Sequence, residues 1–401
     1  MTMHFADRME LFKHSDIQEI LKVTAQPDII SFGGGLPAPE LFPVKKMKEA
    51  SCRVLDEHGA QALQYFKTEG LPSLREKIAE RSNRRLGTSL KPENVIIVTG
   101  SQQALDLSGK FFLNKDDVVL CESPTYLGAV DALKVFQPRF VQVETDDKGM
   151  VVRDLEKKLQ EESRVRLIYV TPDFQNPTGI TWPEERRKAF MDVVNRYSVP
   201  VLEDNPYGEL RFEGSTPPAL KSYDTRGNVL MLGSFSKVLS PGMRVAWISG
   251  EEELLEKFVF LKQAADINTA TKNQLEIDTF LDMFDLDEHI AGLVEVYGHR
   301  KDVMIQAMEE FFPSSVTFTR PEGGLFTWAI LPEGIDARNV LEKAVEKKVA
   351  YVPGGAFFPN GGSANTMRLN YSNMPPERIR EGIRILGEAI SEYLEKEIPA
   401  M

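Results

Sequence analysis

The chain has 401 residues, of which 42% are hydrophobic and 27% are charged. This length exceeds what one hydrophobic core usually supports, so we expect two structural units. The formal net charge of −12 argues against a nucleic-acid partner, because such binding requires an excess of Lys and Arg.

The N-terminal charges, the cysteines and the histidines indicate the location of the protein and whether it holds a disulfide bond or a metal. Charged residues interrupt the first 25 positions too often for a secretory signal, and no apolar run approaches the length that spans a bilayer. The two cysteines, Cys52 and Cys121, are far apart, and the five histidines lack metal-ligand spacing. We therefore predict a cytoplasmic protein with no membrane partner, no disulfide bond and no metal site.

From about Gln61 onward, short β-branched runs alternate with helical patterns, which is typical of βαβ units and a mainly parallel sheet. The seven clearest strand candidates are Val95–Val98, Val118–Cys121, Phe140–Val143, Leu167–Val170, Val199–Leu202, Val229–Leu232 and Val245–Ile248. The helix candidates between them are Gln102–Leu113, Leu127–Phe136, Pro183–Tyr197 and Glu252–Ala264. Right-handed crossovers would place these helices on both faces of the sheet.

Beyond about Asp285 the pattern changes to that of a smaller α+β unit, which the N-terminal segment joins. Its candidate helices and strands are Glu288–Phe312, Val316–Thr319, Leu325–Leu331, Ala337–Lys348, Ala350–Val352 and a C-terminal helix from Pro376. We predict an α/β fold with a large domain at 50–290, built on a mainly parallel seven-stranded sheet, and a small domain at 1–49 with 291–401.

Lys237 lies just after an apolar run, in the segment Val229–Arg244. That places it at the carboxyl end of a strand, where α/β sheets bind ligands. A lysine withdrawn from water and close to another cation has a depressed pKa, as a lysine that forms Schiff bases needs. Ser234, Ser236 and Arg244 offer hydroxyls and a guanidinium suited to a phosphate. A lone lysine is usually a surface residue, so the prediction depends on the whole segment.

An anion site is also predicted where the run Val95–Val98 ends and a helix begins. Gly100 permits a tight turn, while Ser101 and Gln102 can offer amides and side-chain donors at the helix N-terminus. The segment is neither a Walker loop nor a GxGxxG fingerprint. The alternative is an ordinary N-cap serine.

Asp204 ends another apolar run, and a carboxylate buried there needs a cationic partner. The pyridine nitrogen of pyridoxal phosphate (PLP) would be one, because its protonation makes the cofactor ring an electron sink. Tyr207, three residues on, could donate to the cofactor's phenolic oxygen. The alternative is an N-cap aspartate in a proline-containing turn.

Three further side chains follow strands or lie in an alternating segment. Asn176, in an Asn-Pro-Thr-Gly turn, could bond both the phenolic oxygen and a substrate carboxylate. Tyr126 could cover the cofactor ring. Arg368 could bind a substrate α-carboxylate bidentately. The respective alternatives are a surface turn, a core aromatic residue and a surface salt bridge.

Taken in this order, the motifs resemble those of the fold-type I PLP-dependent aminotransferases. The resemblance rests on Gly100-Ser101-Gln102, Asn176-Pro177-Thr178-Gly179, Asp204-x-x-Tyr207, Ser234-x-Ser236-Lys237, Arg244 and Arg368. Segments such as Ser31–Pro43 and Leu63–Gly70 are most similar to the subgroup of 2-aminoadipate, kynurenine and aromatic aminotransferases. The chain also resembles the C-terminal half of MocR-type transcription regulators.

The resemblance implies transfer of an amino group from an L-amino acid to a 2-oxo acid, with PLP as cofactor and Lys237 as its covalent partner and general base. It also implies a homodimer with active sites at the interface, in which Tyr65 reaches the phosphate of the neighbouring subunit's cofactor. Gly33, Gly34 and Gly35 would form a turn against the substrate, where the backbone can approach closely.

Two rival functions use the same residues. One is another PLP reaction, such as that of a β-lyase, decarboxylase or racemase. The other is a non-catalytic effector-binding module, although the regulators carry an N-terminal winged helix, whereas the fold here begins within about fifty residues of Met1. In the predicted helix Ser15–Thr24, Gln18 accompanies Lys22 as the only cation. A dicarboxylic donor would need a second cation for its distal carboxylate. The scarcity of cations in this helix therefore favours aromatic or aliphatic donors, with 2-oxoglutarate as acceptor.

Overall fold

The structure, a computed structural model, describes residues 3–11 and 28–397. The predicted helix Ser15–Thr24, with Gln18 and Lys22, lies outside the described residues.

Strands and helices alternate along most of the described chain. The strands, numbered in chain order, are β1 (Ile30–Ser31), β2 (Val95–Val98), β3 (Val118–Glu122), β4 (Arg139–Val143), β5 (Thr145–Asp146), β6 (Gly149–Met150), β7 (Val165–Val170), β8 (Val201–Asp204), β9 (Val229–Ser234), β10 (Ala246–Ser249), β11 (Thr317–Phe318), β12 (Phe326–Ile330), β13 (Val349–Ala350), β14 (Val352–Pro353) and β15 (Thr366–Asn370). The α-helices are Val44–Ala62, Pro72–Leu86, Ser101–Phe112, Leu127–Lys134, Val152–Glu161, Glu184–Val194, Glu252–Asp266, Thr271–Met283, Leu286–Phe311, Ala337–Glu346 and Pro376–Glu397.

The larger sheet confirms the predicted α/β fold. Its seven strands, all among the described residues, run in the order β2-β10-β9-β8-β7-β3-β4. The pairs from β9 across to β4 are parallel, while β10 is antiparallel to both β9 and β2. Strands such as β2 and β3 are buried at every residue, as expected where helices cover both faces of a sheet.

Two strand predictions need correction. The run predicted at Val199–Leu202 forms a strand two residues later, at β8, because Pro200 has no amide hydrogen to donate to a neighbouring strand. The shift makes Asp204 the last residue of β8. The run predicted at Ala350–Val352 is divided: β13 pairs with β1 and β14 with β15, and the Tyr351 hydroxyl between them donates to the carbonyl of Ala337 at 2.6 Å.

The smaller sheet is antiparallel, in the order β11-β12-β15-β14. The helices Leu286–Phe311, Ala337–Glu346 and Pro376–Glu397 pack on it through a shared apolar core. β1 joins this unit by parallel pairing with β13. Because Leu286–Phe311 contributes residues to the cores of both units, the division at residues 50 and 290 stays a prediction.

Within the described ranges, no helix is both long enough and apolar enough to cross a membrane. Cys52 is exposed and Cys121 buried, and both are free thiols.

A buried ion pair joins the helix Glu184–Val194, through Arg187, to Asp173 in the segment that follows β7. Arg187 Nη2 lies 2.7 Å from Asp173 Oδ1, with both side chains at most 1% exposed. The remaining guanidinium donors bond the carbonyls of Trp182, Pro172 and Pro218. Asp173 also accepts from Asn205 Nδ2 at 3.1 Å, so the pair ties the segment before Asn176 to the residue after Asp204.

Replacing Arg187 by Met should lower the free energy of unfolding by about 3 kcal/mol, because it removes the guanidinium hydrogen-bonded to the buried Asp173 carboxylate and leaves Arg211, 3.9 Å away, as the nearest cation. Lys188→Met is the matched control on the same helix: Lys188 pairs with Glu184 at the surface, and its loss should leave the free energy of unfolding nearly unchanged. Chemical denaturation of both variants tests this, and equal losses would contradict it.

Candidate active site

A cavity of about 430 Å³ opens at the carboxyl ends of β7, β8 and β9. Residues of both units line it, since Arg368 and the Gly33–Gly35 turn face the strand ends of the large sheet. The predicted site residues among its lining are Gly34, Gly35, Ser101, Gln102, Tyr126, Asn176, Asp204, Tyr207, Ser234, Ser236, Lys237, Arg244 and Arg368. Side chains that end separate strands therefore converge on one space.

Lys237 reaches across the cavity from the end of β9. Its Nζ donates to the carbonyl of Gly35 at 2.7 Å. Burial, together with the nearby cations Arg368 and Arg244, lowers the pKa of Lys237 to about 8. About a tenth of this amine is therefore neutral, and so nucleophilic, at pH 7, which is far more than for a lysine at its usual pKa.

Asp204 is a strand residue and not an N-cap, so the alternative of a capping aspartate is wrong. Its side chain is almost fully buried, and Oδ2 accepts from the Tyr169 hydroxyl at 2.8 Å. Oδ1 is buried with no hydrogen-bond partner among the described residues. Burial raises the pKa of Asp204 to about 6, against the opposing effect of the Tyr169 bond. A cationic group in the cavity would satisfy this carboxylate.

Another group of residues in and beside the cavity lining has the donors for an anion. Gly100 is the N-cap of the helix Ser101–Phe112, with φ of 78°, so the alternative of a capping serine is wrong. Arg244 is exposed and lies against this turn: a Cβ built on Gly100 would overlap its guanidinium. Ser234 Oγ bonds Ser236 Oγ at 2.8 Å. Hydroxyls, a guanidinium and a helix N-terminus are together suited to a phosphate.

A third group of residues forms a hydrogen-bonded chain from Tyr207 through Asn176 and Arg368 to Gly33. Asn176 Nδ2 donates to the Tyr207 hydroxyl at 3.4 Å, and Arg368 Nη1 donates to Asn176 Oδ1 at 2.8 Å. Arg368 Nη2 also donates to the carbonyl of Gly33 at 2.6 Å. Arg368 is 8% exposed, so the surface salt-bridge alternative is wrong. Burial lowers the pKa of its guanidinium to about 10.

Several lining residues escaped the sequence analysis: Leu127, Asp131, Tyr169, Thr171, Val352 and Phe357. Tyr169 lies inside β7, where an aromatic residue is ordinarily a core residue. Its place in the cavity lining and its bond to Asp204 assign it to the site. Tyr65, in contrast, does not line this cavity and is 73% exposed, so its predicted contact with a neighbouring subunit stays a prediction.

The sequence model of the family described as Aminotransferase class I and II matches residues 27–386. The aromatic-amino-acid aminotransferase 1 of Thermococcus litoralis is 46% identical over 397 residues, which cover 98% of this chain and 95% of that one. Helix-turn-helix transcriptional regulators also match, such as YisV of Bacillus subtilis, 29% identical over 93% of this chain and 76% of its own length.

Two solved structures share the fold over almost the whole chain. The kynurenine aminotransferase of Pyrococcus horikoshii, in complex with PMP and KYN, has a TM-score of 0.94 at 40% identity and covers 97% of both chains. The α-aminoadipate aminotransferase LysN of Thermus thermophilus, complexed with N-(5'-phosphopyridoxyl)-L-leucine, has a TM-score of 0.91 at 42% identity and covers 98% of both.

Gly100→Ala should weaken the binding of PLP to cofactor-stripped protein by about tenfold or more, because the new methyl group displaces the Arg244 guanidinium and strains a positive φ. Gly87→Ala is the matched control, since Gly87 has a φ of 68° but its Cβ would meet Pro218 at an ordinary 3.6 Å. Fluorescence titration with PLP should give wild-type affinity for the control. Wild-type affinity in both variants would contradict the assignment of the anion site.

Proposed function

The chain belongs to the class I and II aminotransferases, and on that premise we propose that it moves the amino group of an aromatic or aliphatic L-amino acid, or of 2-aminoadipate, to 2-oxoglutarate. The protein is a PLP-dependent aminotransferase. The observation that carries the residue assignments is the juxtaposition, in one cavity, of the Lys237 amine with the unpartnered Oδ1 of Asp204.

We assign the cofactor contacts by chemistry. Asp204 would hold the pyridine nitrogen, because its buried oxygen lacks a donor. Tyr207 and Asn176 would bond the phenolic oxygen, and Tyr126 would cover the ring. The phosphate would bind the Gly100 turn with Ser101, Gln102, Ser234, Ser236 and Arg244. When bound, PLP supplies an electron sink for the negative charge that develops at the substrate Cα.

Two residues then act on the substrate. Lys237 would hold the cofactor through its neutral amine and, when that amine is free, would act as the general base that takes the proton from the substrate Cα. Its lowered pKa of about 8 suits both roles near neutral pH. Arg368 holds the α-carboxylate and so fixes which Cα bond stands perpendicular to the cofactor ring.

The donor preference follows from the wall beside Arg368. Leu127, Val352 and Phe357 present apolar surface to the cavity. Among the described lining residues the cations are Lys237, Arg244 and Arg368, all of which already have assigned partners. Apolar donor side chains therefore fit this wall directly. A substrate with a second carboxylate, whether 2-aminoadipate or the acceptor 2-oxoglutarate, needs a further cation from outside these lining residues.

We further propose a homodimer in which the Tyr65 side chain of each subunit reaches the cofactor phosphate of the other. Tyr65 and Leu63 are 73% and 77% exposed, which a partner surface would cover. We propose a cytoplasmic location, in keeping with two free cysteine thiols.

The test is transfer of ¹⁵N from labelled phenylalanine, leucine and 2-aminoadipate to 2-oxoglutarate, followed by mass spectrometry of glutamate. We expect labelled glutamate from at least one donor and its loss, by about a thousandfold or more, in Lys237→Ala. Lys188→Ala, which removes an exposed lysine, should behave as wild type. Release of labelled ammonia instead of glutamate, or retained transfer in Lys237→Ala, would refute the proposal.

A further inference from the structure

The first part of the connection between β14 and β15, residues 354–362, is here called the strap. It begins with a short helical turn, Gly354–Phe357, and leads into the strand that carries Arg368. The two strands are paired, with Val352 opposite Arg368. The strap therefore lies close in sequence to Arg368, the residue assigned to the substrate carboxylate.

Within the strap, Phe357 is a direct neighbour of Arg368. Its ring centroid lies 5.1 Å from the guanidinium carbon, and that of Phe326 lies 4.4 Å from it. Both rings are almost fully buried. Such contacts attract a cation and restrict the rotation of a planar guanidinium. Since Arg368 Nε has no hydrogen-bond partner among the described residues, the orientation of this group depends on the two rings and on the bonds of Nη1 and Nη2.

The strap is fixed to the large sheet at two places. The carbonyl of Phe357 accepts from the backbone amide of Thr125 at 2.9 Å, beside Tyr126. Further along, Asn360 Nδ2 donates to the carbonyl of Phe140 at 2.7 Å. Phe140 lies in β4, the edge strand, whose outer side has no neighbouring strand among the described residues to take up its polar groups.

A second bond reinforces the outer anchor. The backbone amide of Asn360 donates to Gln142 Oε1 at 3.2 Å, and Gln142 Nε2 donates to Ser123 Oγ at 2.8 Å. The amide of Gln142 thus connects the strap to the loop that carries Thr125 and Tyr126. Asn360 itself does not line the cavity.

From these contacts we infer that Asn360 is a positioning residue: by anchoring the strap to the edge strand it holds Phe357 over Arg368, and so fixes the guanidinium that receives the substrate carboxylate. The inference rests on the proposed role of Arg368. Asn360 contacts neither substrate nor cofactor, so its effect should be confined to ligands that carry a carboxylate.

The experiment uses the PLP-loaded enzyme and the variant Asn360→Ala. We expect KM for phenylalanine and for 2-oxoglutarate, and Ki for 3-phenylpropanoate, to rise about threefold to tenfold, as expected for one lost hydrogen bond. The absorption spectrum of the bound cofactor and its affinity should match wild type. Asn360→Gln, which keeps the amide donor, should recover part of the loss. The matched control is Asn339→Ala, because the exposed Asn339 Nδ2 donates to Tyr393 at a remote surface site.

A double-mutant cycle separates positioning from a general structural effect. In an Arg368→Lys background, Asn360→Ala should produce no further rise in Ki, because the group that it positions is gone. The inference is overturned if Asn360→Ala changes KM and Ki by less than about twofold, or if its effect persists unchanged in that background. If Arg368→Lys alone leaves KM and Ki unchanged, the proposed role of Arg368 fails, and the inference with it.

Discussion

Asp204 keeps a carboxylate in the protein interior with one oxygen bonded to Tyr169 and the other facing no donor among the described residues. Burial of this kind disfavours the charged form, as its pKa of about 6 reflects. The same cavity disfavours the charges of Lys237 and Arg368, whose pKa values burial lowers to about 8 and about 10. A ligand with a cationic ring nitrogen and carboxylate or phosphate groups offsets these penalties together. The chemistry of the site depends on that complementarity.

The fold brings these charges together by joining two units across one cavity. Asp204 ends β8 and Lys237 follows β9 in the large sheet, while Arg368 lies in β15 of the smaller one. Their contacts cross the gap: Lys237 bonds the carbonyl of Gly35, and Arg368 bonds Asn176. The site therefore exists only while the two units stay in register. The strap serves that register, because Asn360 bonds the connection between β14 and β15 to the edge strand β4 of the large sheet.

The sequence was sufficient to predict the site residues that follow strands. It was insufficient to predict site residues whose role depends on their neighbours in three dimensions. Asp204, Lys237 and Asn176 follow apolar runs, so their convergence at one sheet edge could be predicted from the parallel arrangement alone. Tyr169 and Phe357 have no such signal, because an aromatic residue in or beside a strand is ordinarily a core residue. The direction of β10 was equally hidden, since antiparallel and parallel partners can share the same apolar pattern.

The protonation state of the cofactor's ring nitrogen shows directly whether Asp204 pairs with it. PLP labelled with ¹⁵N in the pyridine ring would be bound to the wild type and to Asp204→Asn, and its ¹⁵N chemical shift recorded at neutral pH. We expect a protonated nitrogen in the wild type and an unprotonated one in the variant, because only the carboxylate stabilises the cation. The same protonation state in both proteins would contradict the pairing of Asp204 with the cofactor.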